Sequence, residues 1–332
     1  MEPTLTHPVV RTLTYTVTEE ESGHKIEYVL RNHRFSSQSM KELKKEFGLI
    51  LLNNAPVFIT AKVSCGDSVC VRIVEAESSE NIIPVHFDNI PNMILYEDED
   101  ILVINKPAGM PIHPSLHNET NSLASGLADY YAQKGRPFVF RCITRLDKDT
   151  SGVCIIAKHY LSSGILGSMV KIGHEGCEKH FFADANHSPD SLPTEVSPAE
   201  GLTRRYLALC KGEVTPLQGT VHAPIGRKDG SVVERCVDYV SGENATTHYH
   251  VIAYRPDADV SLVYLQLETG RTHQIRIHMM HLGFPIIGDY LYHPDFSQIG
   301  RQALHSYQLS FTHPITGTYM TFTAPLPEDM NM

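Results

Sequence analysis

One stretch constrains this chain more than any other: Arg145-Leu146-Asp147-Lys148-Asp149-Thr150-Ser151-Gly152. It lies between two apolar runs, Phe138–Ile143 and Val153–Ala157, each of which reads as a strand. A short polar turn between buried strands holds its side chains rigidly, which suits a reactive group. The turn carries one arginine and two aspartates. An acid paired closely with an arginine has its charged form favoured, by about 1–3 pKa units. An ionised aspartate in a cleft can serve as base, metal ligand or nucleophile. The plain structural alternative is an ion pair that caps the turn, because such pairs perturb pKa values without doing chemistry.

A chain of 332 residues predicts two domains. The first spans residues 1–75. A strand is expected at Val9–Val17, a short helix from His24 to Asn32, and a second helix over Ser39–Phe47, capped by Ser36 or Ser37 and stopped at Gly48. Strands follow at Leu49–Leu52, Val57–Val63 and Ser68–Val74, with turns at Asn53-Asn54-Ala55-Pro56 and Gly66-Asp67. The Ser37…Lys41…Leu43-Lys44 helix, the Leu52–Val57 turn and Gly66-Asp67-Ser68-Val69 resemble a small RNA-binding domain. That domain is shared by a ribosomal protein and the front of many RNA-modifying enzymes. Glu42 and Glu46 dilute the basic helix of that pattern, so the domain reads as a degenerate copy. Residues 76–92, polar and punctuated by Pro84 and Pro91, read as a linker.

The second domain spans 93–332. Ile101–Ile104 is a buried strand, Asn105–Pro114 a Pro- and Gly-rich loop, and Ser122–Tyr131 a helix. Arg204–Gly212 and Leu262–Leu267 are strands. A glycine turn at Gly270 leads into a helix that ends near Gly283, and strands and turns close the tail. Residues 171–202, rich in Gly, His, Pro, Ser and Glu, read as a surface insertion. Its His174-x-x-Cys177-x-x-His180, with His187 nearby, could bind zinc. The spacing fits no common finger, which favours a His-rich loop with a free thiol.

Several functions are excluded. No apolar run reaches the ~18 residues of a membrane helix, and the N-terminus lacks the basic and apolar regions of a signal peptide. Seven cysteines form no regular framework, which predicts reduced thiols and a cytoplasmic protein. The net charge of −10 argues against a protein coated for nonspecific nucleic-acid binding, though a local basic groove remains compatible with it. There is no phosphate-binding glycine loop, no dinucleotide fingerprint and no H-E-x-x-H helix. Asp147-Lys148-Asp149-Thr150 lacks one residue for an aspartyl-phosphate motif. His278 and His281 share a helix face, and histidines packed near a substrate groove are the expectation there over a metal site. What remains is Asp147, three arginines (Arg145, Arg271, Arg276) and Tyr206 beside a basic pair. Arginine forks suit phosphate and a tyrosine ring suits a flat base, so the set suits chemistry on a nucleotide.

Four blocks in order carry a broader resemblance: Ile104–Pro114, Arg145–Gly152, Arg205–Leu209 and Thr269–Arg276, with Leu304-His305 and His313-Pro314 closing the pattern. Residues 94–328 resemble the catalytic domain of RluA-type pseudouridine synthases. One departure is Thr144, where that family commonly has His. The resemblance implies an α+β fold with a mixed, mainly antiparallel sheet flanked by helices. It implies an enzyme that isomerises uridine in ribosomal or transfer RNA to pseudouridine, with base flipping, as a monomer, without metal or cofactor. Asp147 would initiate the reaction, Arg276 would hold it ionised, Tyr206 would pack on the base and Ile275 would wall the pocket. Arg145 would fill the space of the displaced nucleotide, and Arg271, Lys106 and His113 would contact the substrate. Two alternatives belong to other classes. One is a catalytically silent RNA-binding or ribosome-assembly factor on the same fold. The other is a nucleoside hydrolase, which needs a second positioned acid for which Asp149 is the only local candidate.

Overall fold

The computed structural model describes residues 5, 7–75, 81–114, 120–171, 181–182 and 201–331. The chain forms two compact units. One holds Met1–Val103, His113–Thr144 and Ile155–Ser168; the other holds Ile104–Ile112, Arg145–Cys154 and Met169–Met332.

In the first unit, strands β1 (Val9–Thr16), β2 (Ile50–Leu52), β3 (Ala55–Pro56) and β4 (Ser68–Val74) form a sheet in the order β1-β4-β2-β3. The alternation of β4 is the reason: Val69, Val71 and Ile73 are fully buried while the residues between them are partly exposed. Helices α1 (Ile26–Asn32) and α2 (Ser37–Leu43) bury Ile26, Val29, Leu30, Met40 and Leu43. Ser36 caps α2, its hydroxyl accepting from the Ser39 backbone N–H. Asn53 and Asn54 both adopt positive φ, 50° and 68°, as a two-residue turn between antiparallel strands demands.

The strand expected over Val57–Val63 does not form. Its backbone serves α1 instead: the carbonyls of Ala61 and Ile59 accept from the N–H groups of Ile26 and Glu27. Helix α1 has no side-chain cap, so these carbonyls satisfy donors that would otherwise be orphaned.

The same unit contains α3 (Ile90–Met93), β5 (Ile94–Glu97), the start of β6 (Ile101–Lys106), α4 (Leu123–Gln133) and most of α5 (Tyr160–Lys171). Ser122 caps α4 through the Ser125 N–H. The strand expected over Phe138–Ile143 is reduced to a bridge between Cys142 and Ile156. Phe138 and Phe140 both turn inward, and Phe138 stacks on Tyr131 with centroids 4.1 Å apart. Ring packing takes precedence over a regular ladder there.

The second unit is built on strands β7 (Ser151–Ala157, through Cys154), β8 (Thr203–Lys211), β9 (Gln218–His222), β12 (Thr246–Arg255), β13 (Val260–Leu267), β14 (Leu304–Thr312) and β15 (Tyr319–Thr323). Their order is β7-β14-β8-β13-β12-β9, with β15 also on β14. All these pairs are antiparallel except β7 with β14. A separate hairpin joins β10 (Ile225–Arg227) to β11 (Arg235–Val237), and helix α6 spans Gln274–His281. The class is thus α+β with a mixed, mainly antiparallel sheet, as expected. Gly152 allows the parallel pairing: with φ 107°, a Cβ there would lie 2.1 Å from the Ser306 carbonyl oxygen.

The six described cysteines are free thiols. Among the described residues no helix is long and apolar enough to cross a membrane. His174, Cys177, His180 and His187, together with most of the 171–202 insertion, fall outside the described residues, as does the stretch 76–80 of the expected linker.

Candidate active site

The turn before β7 is clamped from three sides. Lys106 Nζ donates to the Lys148 carbonyl at 3.0 Å and to the carbonyls of Pro107 and Met110 at 2.8 and 2.9 Å. Arg301 Nη1 donates to the Asp149 carbonyl at 3.1 Å, and Gln302 Nε2 to the Thr150 hydroxyl at 2.9 Å. The Thr150 N–H closes the turn on the Asp147 carbonyl. Lys106 is fully buried, and its three ammonium protons match three carbonyls. Burial pushes its pKa down to about 8 against the pull of nearby Cys154, Asp149 and Asp147. Expected to touch substrate, Lys106 instead ties its own loop to the Asp147 turn, because a buried, saturated ammonium has no donor left to offer.

This clamp leaves the Asp147 carboxylate partly open, with 31% of its side chain exposed. Its Oδ2 accepts from Arg276 Nη1 at 2.9 Å. Arg276 is aimed by a second acid: Nε and Nη2 donate to the two oxygens of Asp289 at 2.6 and 2.8 Å. Both side chains of that pair are 1% exposed. Asp289 Oδ1 also accepts from the backbone N–H groups of Leu291 and Tyr292. The rings of Tyr290 and Tyr292 lie 5.4 and 5.0 Å from the guanidinium carbon. Burial alone would lower the Arg276 pKa, but the hydrogen bonds and charges of Asp289 and Asp147 outweigh it and raise it. A permanent cation therefore faces Asp147.

The turn preceding α6 is fixed by one buried amide. Gln274 Oε1 accepts from the Thr269 hydroxyl and the Arg271 N–H at 2.8 and 2.9 Å, while Nε2 donates to the Thr246 carbonyl and the Thr247 hydroxyl at 3.0 Å. His278 continues the network, bonded to Thr247 Oγ1 at 2.8 Å and to the Ala223 carbonyl at 2.9 Å. Burial drops its pKa to about 4, so it is a neutral packing residue. With α6 seated this way, Ile275 is buried and Arg276 points at Asp147.

Tyr206 lies in β8, opposite Leu265 on one side and Ser306 on the other. It is almost fully buried and hydrogen-bonds the Ser306 side chain; burial raises its pKa, and the field of Asp147 adds to the rise. The adjacent basic pair is no open patch. Arg204 and Arg205 are buried, and Arg205 is engaged with Gln266 and Tyr264.

The second unit holds Asp147, Arg276, Ile275, Tyr206, Lys106, Arg145 and Arg271, and the contacts described join Arg276 to the Asp147 carboxylate and Lys106 to its turn. Arg145 is exposed. Arg271 is exposed too and pairs with Glu243, its Nε donating to the Asn244 carbonyl at 3.2 Å. His113 belongs to the first unit, where its ring meets Phe140 edge-on at 5.0 Å. Thr144, also in that unit, accepts from the Ile155 N–H at 3.1 Å. Asp289, Tyr292, Arg301 and the proximity of His273 to Asp147 are not among the features expected from the sequence. The signal for Asp289 was present as Gly288-Asp289-Tyr290, an acid entering a tight turn, but nothing local pairs it with an arginine thirteen residues earlier.

A family model described as RNA pseudouridylate synthase matches residues 100–281. An uncharacterized RNA pseudouridine synthase of Bacillus subtilis, YjbO, is 38% identical over 296 residues, covering 89% of this chain and 93% of that protein. The ribosomal large subunit pseudouridine synthase D of Zymomonas mobilis is 36% identical over 270 residues, covering 75% of this chain and 74% of that protein. The solved structure of human RNA pseudouridylate synthase domain containing 1 shares the fold, with a TM-score of 0.51 at 24% identity over 70% of this chain and 82% of that one. The match spans the Asp147 turn and helix α6 alike, and on it the chain belongs to the RluA-type RNA pseudouridine synthases.

Proposed function

We propose that this isomerase acts on uridine in large-subunit ribosomal RNA, with Asp147 as the group that initiates the reaction. The observation that carries the reading is a partly exposed carboxylate anchored on a cation that is itself anchored on a buried acid. Such an arrangement holds the Asp147 carboxylate in one orientation before substrate arrives, so no reorganisation is needed at the moment of reaction. The N1–C1′ bond of uridine breaks, the uracil turns, a C5–C1′ bond forms, and the C5 hydrogen leaves as a proton while N1 gains one. No electron or group donor enters this balance, so the reaction calls for no cofactor.

A stacked base is out of reach, so the uridine flips out at a cost of a few kcal/mol. Arg145, exposed beside Asp147, fills the vacated stack. Ile275 and Tyr206 wall the pocket. Arg271, at the surface, meets the phosphate backbone by exchanging Glu243 for a phosphate. Lys106 acts through the loop it holds. Residues 1–75, in which two helices pack with a small antiparallel sheet, act as an RNA-binding-like domain. The enzyme works as a cytoplasmic monomer. The choice of ribosomal over transfer RNA rests on the names of similar proteins such as that of Zymomonas mobilis.

The test is release of tritium from RNA labelled at uridine C5, isolated from cells lacking the protein and separated into ribosomal and transfer fractions. Wild type is expected to release label from large-subunit RNA, and Asp147→Asn to fold and bind RNA but release none. Turnover by Asp147→Asn at the wild-type rate would remove Asp147 from its role, and release from transfer RNA alone would overturn the target.

A further inference from the structure

His273 has a job that neither its burial nor its place at the start of α6 explains. It adopts the left-handed conformation, with φ 59°. Residues other than glycine occupy that region uncommonly, and one held there by its surroundings stores strain, which gathers at functional sites. Its Nδ1 lies 2.9 Å from the Tyr292 hydroxyl. That hydroxyl already accepts the backbone N–H of Arg235, also at 2.9 Å. The hydroxyl has its own proton to give, and Nδ1 can accept it in the tautomer protonated at Nε2. Nε2 then carries the ring proton, and Nε2 lies 3.8 Å from Asp147 Oδ2. The groups facing the ring are Asp147, Arg276, Asp289 and Arg235, together with the Tyr292 ring, which meets it edge-on. Burial outweighs the acids among them and lowers the imidazole pKa, so the ring is neutral.

From this geometry we infer that His273, oriented by Tyr292, is a positioning residue that presents Nε2–H to Asp147 Oδ2 and so selects Oδ1 as the oxygen that meets the substrate. Arg276 reaches the same Oδ2. Two donors converging on one oxygen fix the rotation of the carboxylate. The 3.8 Å separation closes to hydrogen-bond length when substrate fills the pocket, as catalytic contacts commonly do. The inference rests on Asp147 as the initiating group.

Two variants and their combination test it in the tritium-release assay with the full-length protein. His273→Gly keeps the left-handed backbone without strain and deletes the imidazole. Tyr292→Phe deletes only the oxygen that orients it. Each is expected to lower kcat about tenfold, with KM unchanged, because misplacing a reacting group costs rate more than binding. In the His273→Gly background Tyr292→Phe should cost nothing more, since its effect passes through the ring. The Tm of His273→Gly, read in parallel, separates loss of folded protein from loss of rate. A kcat for His273→Gly within twofold of wild type, or additive losses in the double variant, overturns the inference.

A second readout needs no turnover. The ¹⁵N-coupled ring spectrum, with His273 assigned by its loss in His273→Gly, should show Nε2 protonated and Nδ1 bare at neutral pH. The Nε2 signal should move in Asp147→Asn. A proton on Nδ1 refutes the orientation. An active Asp147→Asn enzyme refutes instead the reading beneath it.

Discussion

Asp289→Asn should separate the stability of the site from its chemistry. Asp289 accepts four hydrogen bonds, two from Arg276 and two from the backbone at Leu291 and Tyr292. Asparagine keeps the shape but offers one oxygen. If that oxygen stays on Nη2 and the two backbone donors, its amide nitrogen faces Arg276 Nε, donor against donor. The guanidinium, 1% exposed, then keeps Asp147 as its one ionic partner. Removing one member of a buried ion pair costs about 3–5 kcal/mol. Asp147 remains to share the charge, so the lower end, about 3 kcal/mol, is expected. At about 2 °C per kcal/mol for a chain of this size, the Tm should fall by roughly 6 °C. Urea unfolding should show a lower midpoint at unchanged slope. Tritium release should fall further than the folded fraction does, because Arg276 loses its aim. The control is the double variant Arg276→Met with Asp289→Leu. Replacing a buried pair by apolar side chains is often neutral or stabilising, so stability should recover while activity does not. An Asp289→Asn protein with the wild-type midpoint, or an active double variant, would refute the argument that this pair exists to aim Arg276.

Two other outcomes follow from the clamp around Asp147. The Lys106 pKa falls from 10.5 to about 8 on folding, so between those values the unfolded chain holds a proton that the folded one has released. Stability should therefore rise with pH across that window, by up to about 3 kcal/mol, relative to a Lys106→Met variant measured in parallel by urea unfolding; parallel pH curves would show that the ammonium is not confined as described. Gly152→Ala would place a Cβ 2.1 Å from the Ser306 carbonyl oxygen at φ 107°. Strain and overpacking together should cost roughly 2–6 kcal/mol, read as a lower Tm, and a variant as stable as wild type would mean that β7 and β14 can separate.

The sequence by itself determined whatever depends on neighbours along the chain. Ser36 and Ser122 announce their helices because a cap needs only a hydroxyl three residues before a free N–H. Asn53-Asn54 announces its turn because asparagine tolerates positive φ. Val69, Val71 and Ile73 announce β4 by their alternation. Ordered motif blocks brought Asp147, Tyr206, Ile275 and Arg276 into one reading ahead of any coordinates. Tertiary structure alone decided what those residues meet. Val57–Val63 has strand composition, yet its carbonyls go to the start of α1. Phe138–Ile143 has it too, yet its rings pack inward. The resemblance implied a substrate contact for Lys106; three carbonyls from two loops enclose it instead. Arg276 needs Asp289 to aim it, and His273 needs Tyr292. A buried charge must find its partner wherever the fold brings one, and no local pattern in the chain encodes that meeting.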